Sequence, residues 1–498
     1  MRDAQPVRRR TTPALLLPAL FAGACATAAP APPGPPSIVA AMAASIDSII
    51  DAPPLHRTTW GILVMDAATG TVLYARNAER HYIPASNMKL VVGAVALARL
   101  GPDYRYRTEF RTSGLVDGRA ATLVAAGVGD PTWSPRFYPD RAAPFDSMAA
   151  RVAESGVREV GELVVDVSRF RDERVHPTWE VDDLPGVFAP PVDAFAASEG
   201  TFRLAVTSGP AVGAAGFAAA VPPLHQPVRA DVTTDTAGAR ASVRVDFTGR
   251  RDTIYLGGRV GLGGSDTLTL AVTRPAESAA MALADALRRR GIAVGDVRVV
   301  RDSAAAAGVR AGTVEAGVLV SPPMSEIVAA ILRPSQNWIA EQVVKTLGAE
   351  VGEEGSWRGG QAVQRTYLYE AVGVDSGALV LRDASGMSAQ NLLTPAATVA
   401  LLAHARTQPW GAVYRDGLPR PGLSGSTLAN RLRPLEGRVA AKTGTISNVN
   451  SLSGYFTGAD GREYIFSILS NGSGLPAAVV RTAIDDVVLA LARHLDAR

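Results

Sequence analysis

Two parts of one pattern stand more than two hundred residues apart, and this limits the chain to an interrupted domain. Up to residue 100 the sequence reads helix, strand, strand, helix. An apolar run covers 38–50, alternating stretches cover 61–66 and 71–75 around the turn Ala67-Ala68-Thr69-Gly70, and an apolar helix covers 86–100. From about 101 to 310 short strands, turns and Arg-rich polar faces take over, with one helix near 278–290. Helices return at 324–332, 338–347, 357–369 and 395–405. Strands near 439–443, 449–457 and 464–470 and an amphipathic helix at 475–494 close the chain. The two ends can form one antiparallel sheet flanked by helices. The expected fold is α/β (α+β), a domain of residues 37–100 and 311–498 interrupted by a β-rich insertion at 101–310. A chain of 498 residues also exceeds what one core supports.

The N-terminus reads as an export signal over 1–29. Arg8, Arg9 and Arg10 precede an apolar run, 14–24, that is too short to span a bilayer. A Pro-rich linker follows at 30–36. Cys25 is the single cysteine, so no internal disulfide can form. Its place after Ala22-Gly23-Ala24 resembles a bacterial lipoprotein cleavage box, although Ala22 stands where a larger aliphatic residue is usual. The alternative is an ordinary signal cut near Ala26-Thr27-Ala28. Either way the expected location is the periplasm or cell envelope, with a lipid anchor only in the first case. The formal net charge of +3 resides in residues 1–24, which carry four Arg and one Asp. The remainder is neutral, which gives nucleic acid nothing to bind.

Three short motifs carry chemistry. Ser86-Asn87-Met88-Lys89 opens the first apolar helix, and a spacing of three puts both side chains on one face. A serine hydroxyl needs a nearby base to become a nucleophile, and a desolvated lysine can be neutral enough to serve. Two fixed residues of ordinary usage recur about once in 300 positions, so the pair alone is weak. It also fits a capping serine and a surface lysine. Lys442-Thr443-Gly444-Thr445 ends a strand, where glycine admits a ligand close to the backbone and the lysine and hydroxyls can grip a carboxylate. It also fits a strand end running into a turn. Ser335-Gln336-Asn337 precedes a helix; read alone, Ser335 is better explained as an N-cap after Pro334.

The lysine count ties the motifs together. The chain has three lysines, at 89, 345 and 442, and the other 47 of its 50 basic residues are arginine. Two of the three fall in the motifs. Arginine cannot be deprotonated in a protein, so a base at position 89 must be lysine. Lys442 suits a compact point charge in a narrow site, and Lys345 reads as structural. There is no Gly-x-Ser-x-Gly elbow and no His-Glu-x-x-His among the six histidines, so neither that hydrolase type nor a zinc site is expected. Gly261-Leu262-Gly263-Gly264 reads as a turn before a strand at 267–272, and Asp130 as a turn aspartate before Pro131.

Ser-x-x-Lys, Ser-x-Asn and Lys-Thr-Gly, in this order, form the set of penicillin-binding proteins and class A β-lactamases. The chain resembles one branch closely, the class C low-molecular-mass D-alanyl-D-alanine carboxypeptidase/endopeptidases. The flanks that carry the resemblance are Pro84-Ala85-Ser86, Gly129-Asp130-Pro131-Thr132, Ala340-Glu341-Gln342, Ser385-Gly386-Met387-Ser388 with Asn391, Thr394-Pro395, and Gly437-Arg438-Val439 before Lys442. The 249 residues between Ser86 and Ser335 fit that branch, whose members carry a large insertion at this point. Ala389 departs from it, standing where arginine is frequent.

The resemblance implies a serine DD-peptidase of the penicillin-binding, β-lactamase-like transpeptidase fold. It would act on peptidoglycan stem peptides, bind β-lactams covalently, and need no metal or organic cofactor. Ser86 would be the nucleophile and Lys89 its base. The backbone N–H groups of Ser86 and Thr445 would form the oxyanion hole. Ser335, oriented by Lys89 and Lys442, would relay the proton, and Asn337 would hold the substrate backbone. Lys442, Thr443 and Thr445 would bind the leaving carboxylate beside Gly444. The rival readings are a β-lactamase or esterase using the same serine, and a non-catalytic peptidoglycan-binding scaffold.

Overall fold

Strands from the two ends of the chain meet in one sheet. The computed structural model describes residues 37–221, 227–246 and 253–497; the export signal, Cys25 and the Pro-rich linker lie outside them. The elements that build the site are α1 (Ile38–Ile50), β1 (Thr59–Asp66), β2 (Val72–Arg76), α2 (Met88–Arg99), α3 (Asn337–Glu350), β3 (Val439–Ile446), β4 (Val449–Thr457), β5 (Glu463–Asn471) and α4 (Ala477–Leu495). The sheet is antiparallel in the order β3-β4-β5-β1-β2, with Thr59 opposite Asn471 and Val439 opposite Phe456.

Side chains alternate across the sheet. Ile62, Val64, Leu452, Phe466 and Ile468 pack with Met42 and Ile46 of α1 and with Ile484, Val487 and Leu491 of α4. Leu63, Ala440, Tyr455 and Ile465 turn to the other face, where the helix Pro395–Thr407 lies on the sheet and Tyr455 Oη donates to the Leu402 carbonyl at 2.8 Å. α2, α3 and the helix Met324–Leu332 belong to the same core. Both faces are therefore covered, which is why β4 and β5 are buried along nearly their whole length, their polar side chains paired inside the sheet, as where Ser453 Oγ donates to Ser467 Oγ at 2.9 Å. Each fully buried Leu or Ile stabilises this arrangement by about 1.5–3 kcal/mol relative to exposure.

Between α2 and α3 the chain builds a mixed five-stranded sheet. Its order is Ala293–Val300, Glu159–Asp166, Arg119–Ala126, Arg107–Ser113, Thr313–Val320. Helices Ala143–Glu154 and Pro275–Arg289 cover one face, and Ser303–Arg310 lies on the other. Two three-stranded sheets complete the insertion. Two differences from the sequence reading stand out. The inserted sheet closes with Thr313–Val320, so the insertion runs past residue 310. Three helices occur among its described residues where one was expected. The two additional ones are short and Ala-rich, and aspartates mark where they start. Asp140 Oδ1 accepts from the N–H groups of Ala142 and Ala143 at 2.8 and 2.9 Å, and Asp302 Oδ1 from Ala305 N–H at 2.9 Å. The pairs 119–126/159–166 and 159–166/293–300 are parallel, and parallel neighbours need a crossover connection, which strand alternation alone does not reveal.

Candidate active site

Ser86 sits on a turn that the sequence forces tight. Pro84 and Ala85 lead into it, Ala85 with φ +47, and Ala85–Asn87 form one 3₁₀ turn before α2 begins. That turn and the first turn of α2 place Lys89 directly behind Ser86, fully buried. Lys89 Nζ lies 2.8 Å from Ser86 Oγ, 2.7 Å from Asn337 Oδ1 and 2.6 Å from the Ser385 carbonyl. The carbonyl can only accept. Asn337 must also present its oxygen, because its Nδ2 donates to the Phe188 carbonyl at 2.8 Å. A neutral lysine has two N–H groups and one lone pair, so two acceptors use the N–H groups and the lone pair is left for the Ser86 hydroxyl. Burial drives Lys89 towards that neutral form, lowering its pKa to about 7 against the opposing charges of Glu341 and Asp383.

Ser335 is not the N-cap of α3. Gln336 is, its Oε1 accepting from Ile339 N–H at 3.0 Å. Ser335 instead takes φ +64, a left-handed backbone that costs a non-glycine residue of order 1–3 kcal/mol. Its hydroxyl is thereby free to receive a hydrogen bond from Lys442 Nζ at 2.8 Å. Lys442 also donates to the Thr443 carbonyl at 2.7 Å. Burial, reinforced by the charge of Lys89, holds Lys442 well below an ordinary lysine. One expected contact is different. Lys89 reaches Asn337 rather than Ser335, so among the described hydrogen bonds Ser335 is oriented by Lys442.

β3 is the edge strand, and its open side faces the cleft. Ala441 N–H points away from β4 to the Pro419 carbonyl at 3.0 Å. The two-residue period of the strand aims the N–H groups of Thr443 and Thr445 to that same side. Ser86, Ser335, Asn337, Met387, Thr443 and Thr445 line one cavity of about 800 Å³. Gly444 is held against the Ser86 turn. A Cβ there would overlap Ser451 Oγ and stand 2.9 Å from both the Pro84 carbonyl and Ser86 N. Gly444→Ala should slow penicillin acylation by roughly 100-fold, the scale of an ångström-sized displacement at a reacting centre, and lower the melting temperature by a few degrees, since overpacking a buried site costs about 1–3 kcal/mol. Acylation kinetics beside a thermal melt check this.

The three motifs, joined by Lys89–Asn337 across 248 residues and Lys442–Ser335 across 107, therefore converge on one cleft. Residues 42–494 match the D-Ala-D-Ala carboxypeptidase 3 (S13) family. The chain belongs to that family. It is 35% identical over 473 residues to the D-alanyl-D-alanine carboxypeptidase of Actinomadura sp. strain R39, covering 89% of this chain and 82% of that one. Its fold is similar to penicillin-binding protein 4 of Haemophilus influenzae, with TM-score 0.78, 19% identity, and 91% and 99% of the two chains covered. It is also similar to a penicillin G-acylated predatory endopeptidase of Bdellovibrio bacteriovorus, with TM-score 0.50, 15% identity, and 87% and 92% covered. This S13 enzyme is thus a serine-type D-alanyl-D-alanine carboxypeptidase family hydrolase.

Several residues that support its site enter the sequence reading only as flanks of the resemblance, with no role assigned, or not at all. Glu341, one helical turn beyond Asn337 and buried, accepts from Ser385 N–H at 2.7 Å and Trp357 Nε1–H at 2.7 Å. Burial, with the charge of Asp383, pushes its carboxyl up to about 7. Asp383, also buried, gathers donors from Trp179, Gly386, Ser388 and Asn391. Together the two carboxylates fix the loop whose Ser385 carbonyl holds Lys89. The insertion grips α3 from the other side. Glu199 Oε2 accepts from Gln336 Nε2, the Pro191 carbonyl from Trp338 Nε1 and the Asp193 carbonyl from Gln342 Nε2, at 2.6–3.0 Å. For Asp383 the available signal was the Asp-x-x-Gly turn pattern of Asp383–Gly386; for Glu341 and Gln342 it was their place in the quoted flank Ala340-Glu341-Gln342. Lys345 is structural as expected, buried against Asp172 and 3.7 Å from the Trp357 ring centre. Asp130 accepts from Thr132 N–H and Oγ1–H at 2.9 and 2.7 Å, a turn as expected.

Proposed function

We propose that Ser86 attacks the carbonyl of the penultimate D-alanine of a peptidoglycan stem peptide. Lys89 takes its proton, and the new Oγ–C bond gives a tetrahedral oxyanion at the N–H groups of Ser86 and Thr445. The carbon–nitrogen bond then breaks. The leaving amine receives its proton through Ser335, whose hydroxyl Lys442 holds, and Lys442, Thr443 and Thr445 bind the leaving carboxylate. Asn337 has a second Nδ2–H with which to hold the substrate backbone. Water hydrolyses the acyl-enzyme. A β-lactam follows the same path as far as the acyl-enzyme, without a leaving group that departs.

The observation that carries this reading is the arrangement around Lys89 Nζ. Two acceptors and one hydroxyl leave a neutral lysine one productive orientation. The substrate lies outside the cytoplasmic membrane, in agreement with the export signal, so the enzyme works in the periplasm. Cys25 is the candidate lipid anchor; palmitate labelling lost in Cys25→Ala supports it, and a secreted unmodified protein sinks it. For the reaction itself, the protein is incubated with a fluorescent penicillin, the labelled peptide is mapped by mass spectrometry, and the label is followed over time. A long-lived adduct on Ser86 is expected. Rapid hydrolysis would favour a β-lactamase or esterase, and no adduct would favour a scaffold.

A further inference from the structure

The cavity is far larger than a leaving alanine requires, and its charge is uneven. At the carboxylate-binding end, Thr443 Oγ1 donates to Thr427 Oγ1 at 2.7 Å, so the wall continues from Thr443 into the segment that carries Arg431. Arg431 is locked. Its Nε and Nη2 donate to the two oxygens of Asp485 at 3.1 and 2.8 Å, and both side chains are 19% exposed. Asp485 lies on α4 four residues after Arg481, which also lines the cavity. It is the natural helical partner of Arg481, but Arg431 already occupies both of its oxygens. Among the described residues no carboxylate pairs with Arg481. The other cations of the cavity are engaged: Arg136 pairs with Glu199, and Arg141 donates to the Thr201 carbonyl at 2.6 Å. One exposed, unpaired guanidinium therefore stands beyond the place where the leaving carboxylate binds.

A free alanine is too small to use it. A leaving residue whose side chain continues into a second stem peptide is not, because that peptide carries carboxylates of its own. Building on the function proposed above, we propose that the wall formed by Thr427, Arg431, Asp485 and Arg481 is a subsite for the second, anionic peptide strand of a cross-link. Arg481 recognises a carboxylate of that strand, and the Arg431–Asp485 pair keeps it available. The subsite accordingly favours a cross-linked leaving strand over free alanine.

The test uses three substrates on the wild type, Arg481→Ala and Arg481→Glu: a fluorescent penicillin, an uncross-linked pentapeptide, and a purified cross-linked muropeptide dimer. Arg481 is exposed, so both variants should fold. The expected result is a fall in kcat/KM for the dimer of about tenfold in Arg481→Ala and more in Arg481→Glu, the scale of one charge-assisted hydrogen bond. Penicillin acylation and alanine release should stay within about twofold, and added salt should erode the wild-type preference for the dimer. Unchanged dimer cleavage in both variants overturns the subsite, as does an equal loss on all three substrates. A wild type that releases alanine but leaves dimers intact also overturns it, with the DD-peptidase reading still standing. Failure with penicillin and pentapeptide alike would instead remove that reading.

Discussion

Replacing Lys89 by arginine should lower the rate of penicillin acylation by roughly 10³-fold, the scale of losing a positioned general base. The change keeps a cation and keeps donors for Asn337 Oδ1 and the Ser385 carbonyl, which Lys89 now contacts at 2.7 and 2.6 Å. A guanidinium stays charged at every pH a protein survives and has no lone pair to offer the Ser86 hydroxyl. Acylation thus distinguishes a base from a positive charge that merely polarises the site. The pH profile gives an independent readout. Burial lowers Lys89 to about 7, and only the neutral form accepts a proton, so the wild-type rate should rise through about pH 7 and level off above it. Following label incorporation from pH 5.5 to 9 checks this. A rate in Lys89→Arg within tenfold of wild type, or a wild-type rate that is flat across pH 7, would remove Lys89 from the role of base.

The motif residues were legible because chemistry restricts them more than packing does. In a chain that uses arginine for ordinary charge, lysine at 89 and 442 marked positions where a guanidinium cannot serve. The main sheet was legible in outline too, from the β-branched and aromatic stretches of β1, β4 and β5 and the turn between β1 and β2. What could not be read was contact between distant segments. Glu199 meets Gln336 across 137 residues and Phe188 meets Asn337 across 149, and neither pair has a local signature. Ser335 looked like a helix cap because serine after proline usually is one. Its left-handed backbone, with Gln336 capping in its place, is a product of the tertiary grip on α3. The missed inserted helices follow the same logic: Ala143–Glu154 crosses between parallel neighbours and Ser303–Arg310 joins strands at opposite edges of the mixed sheet, so contact with that sheet defines their faces.

Asp383 is the residue whose removal should cost most for least apparent reason. It touches neither Ser86 nor the cavity wall, yet it is fully buried and satisfies four donors. These are Trp179 Nε1 at 2.9 Å, Gly386 N at 2.8 Å, Ser388 N at 2.7 Å and Asn391 Nδ2 at 2.7 Å. Alanine there would strand all of them in a site without room for replacement partners, and each buried donor left unmade costs about 1–3 kcal/mol. Relaxation recovers part, so a net loss of about 3–5 kcal/mol is expected, the range seen when a buried charge network is broken. The loop cannot shift without disturbing the nucleophile. Gly386, at φ +83, packs so closely that a Cβ on it would overlap the Ala85 carbonyl and stand 2.9 Å from Ser86 N. The next residue back supplies the carbonyl that holds Lys89. Asp383→Ala should therefore melt several degrees lower and, well below its melting temperature, still acylate at least tenfold more slowly. The residual activity should show a second sign. The Asp383 charge raises the pKa of Lys89, so its loss should move the midpoint of the acylation profile to lower pH. A folded Asp383→Ala protein with wild-type acylation and an unmoved midpoint would show that Ser86 and Lys89 hold their geometry without the 383–388 loop.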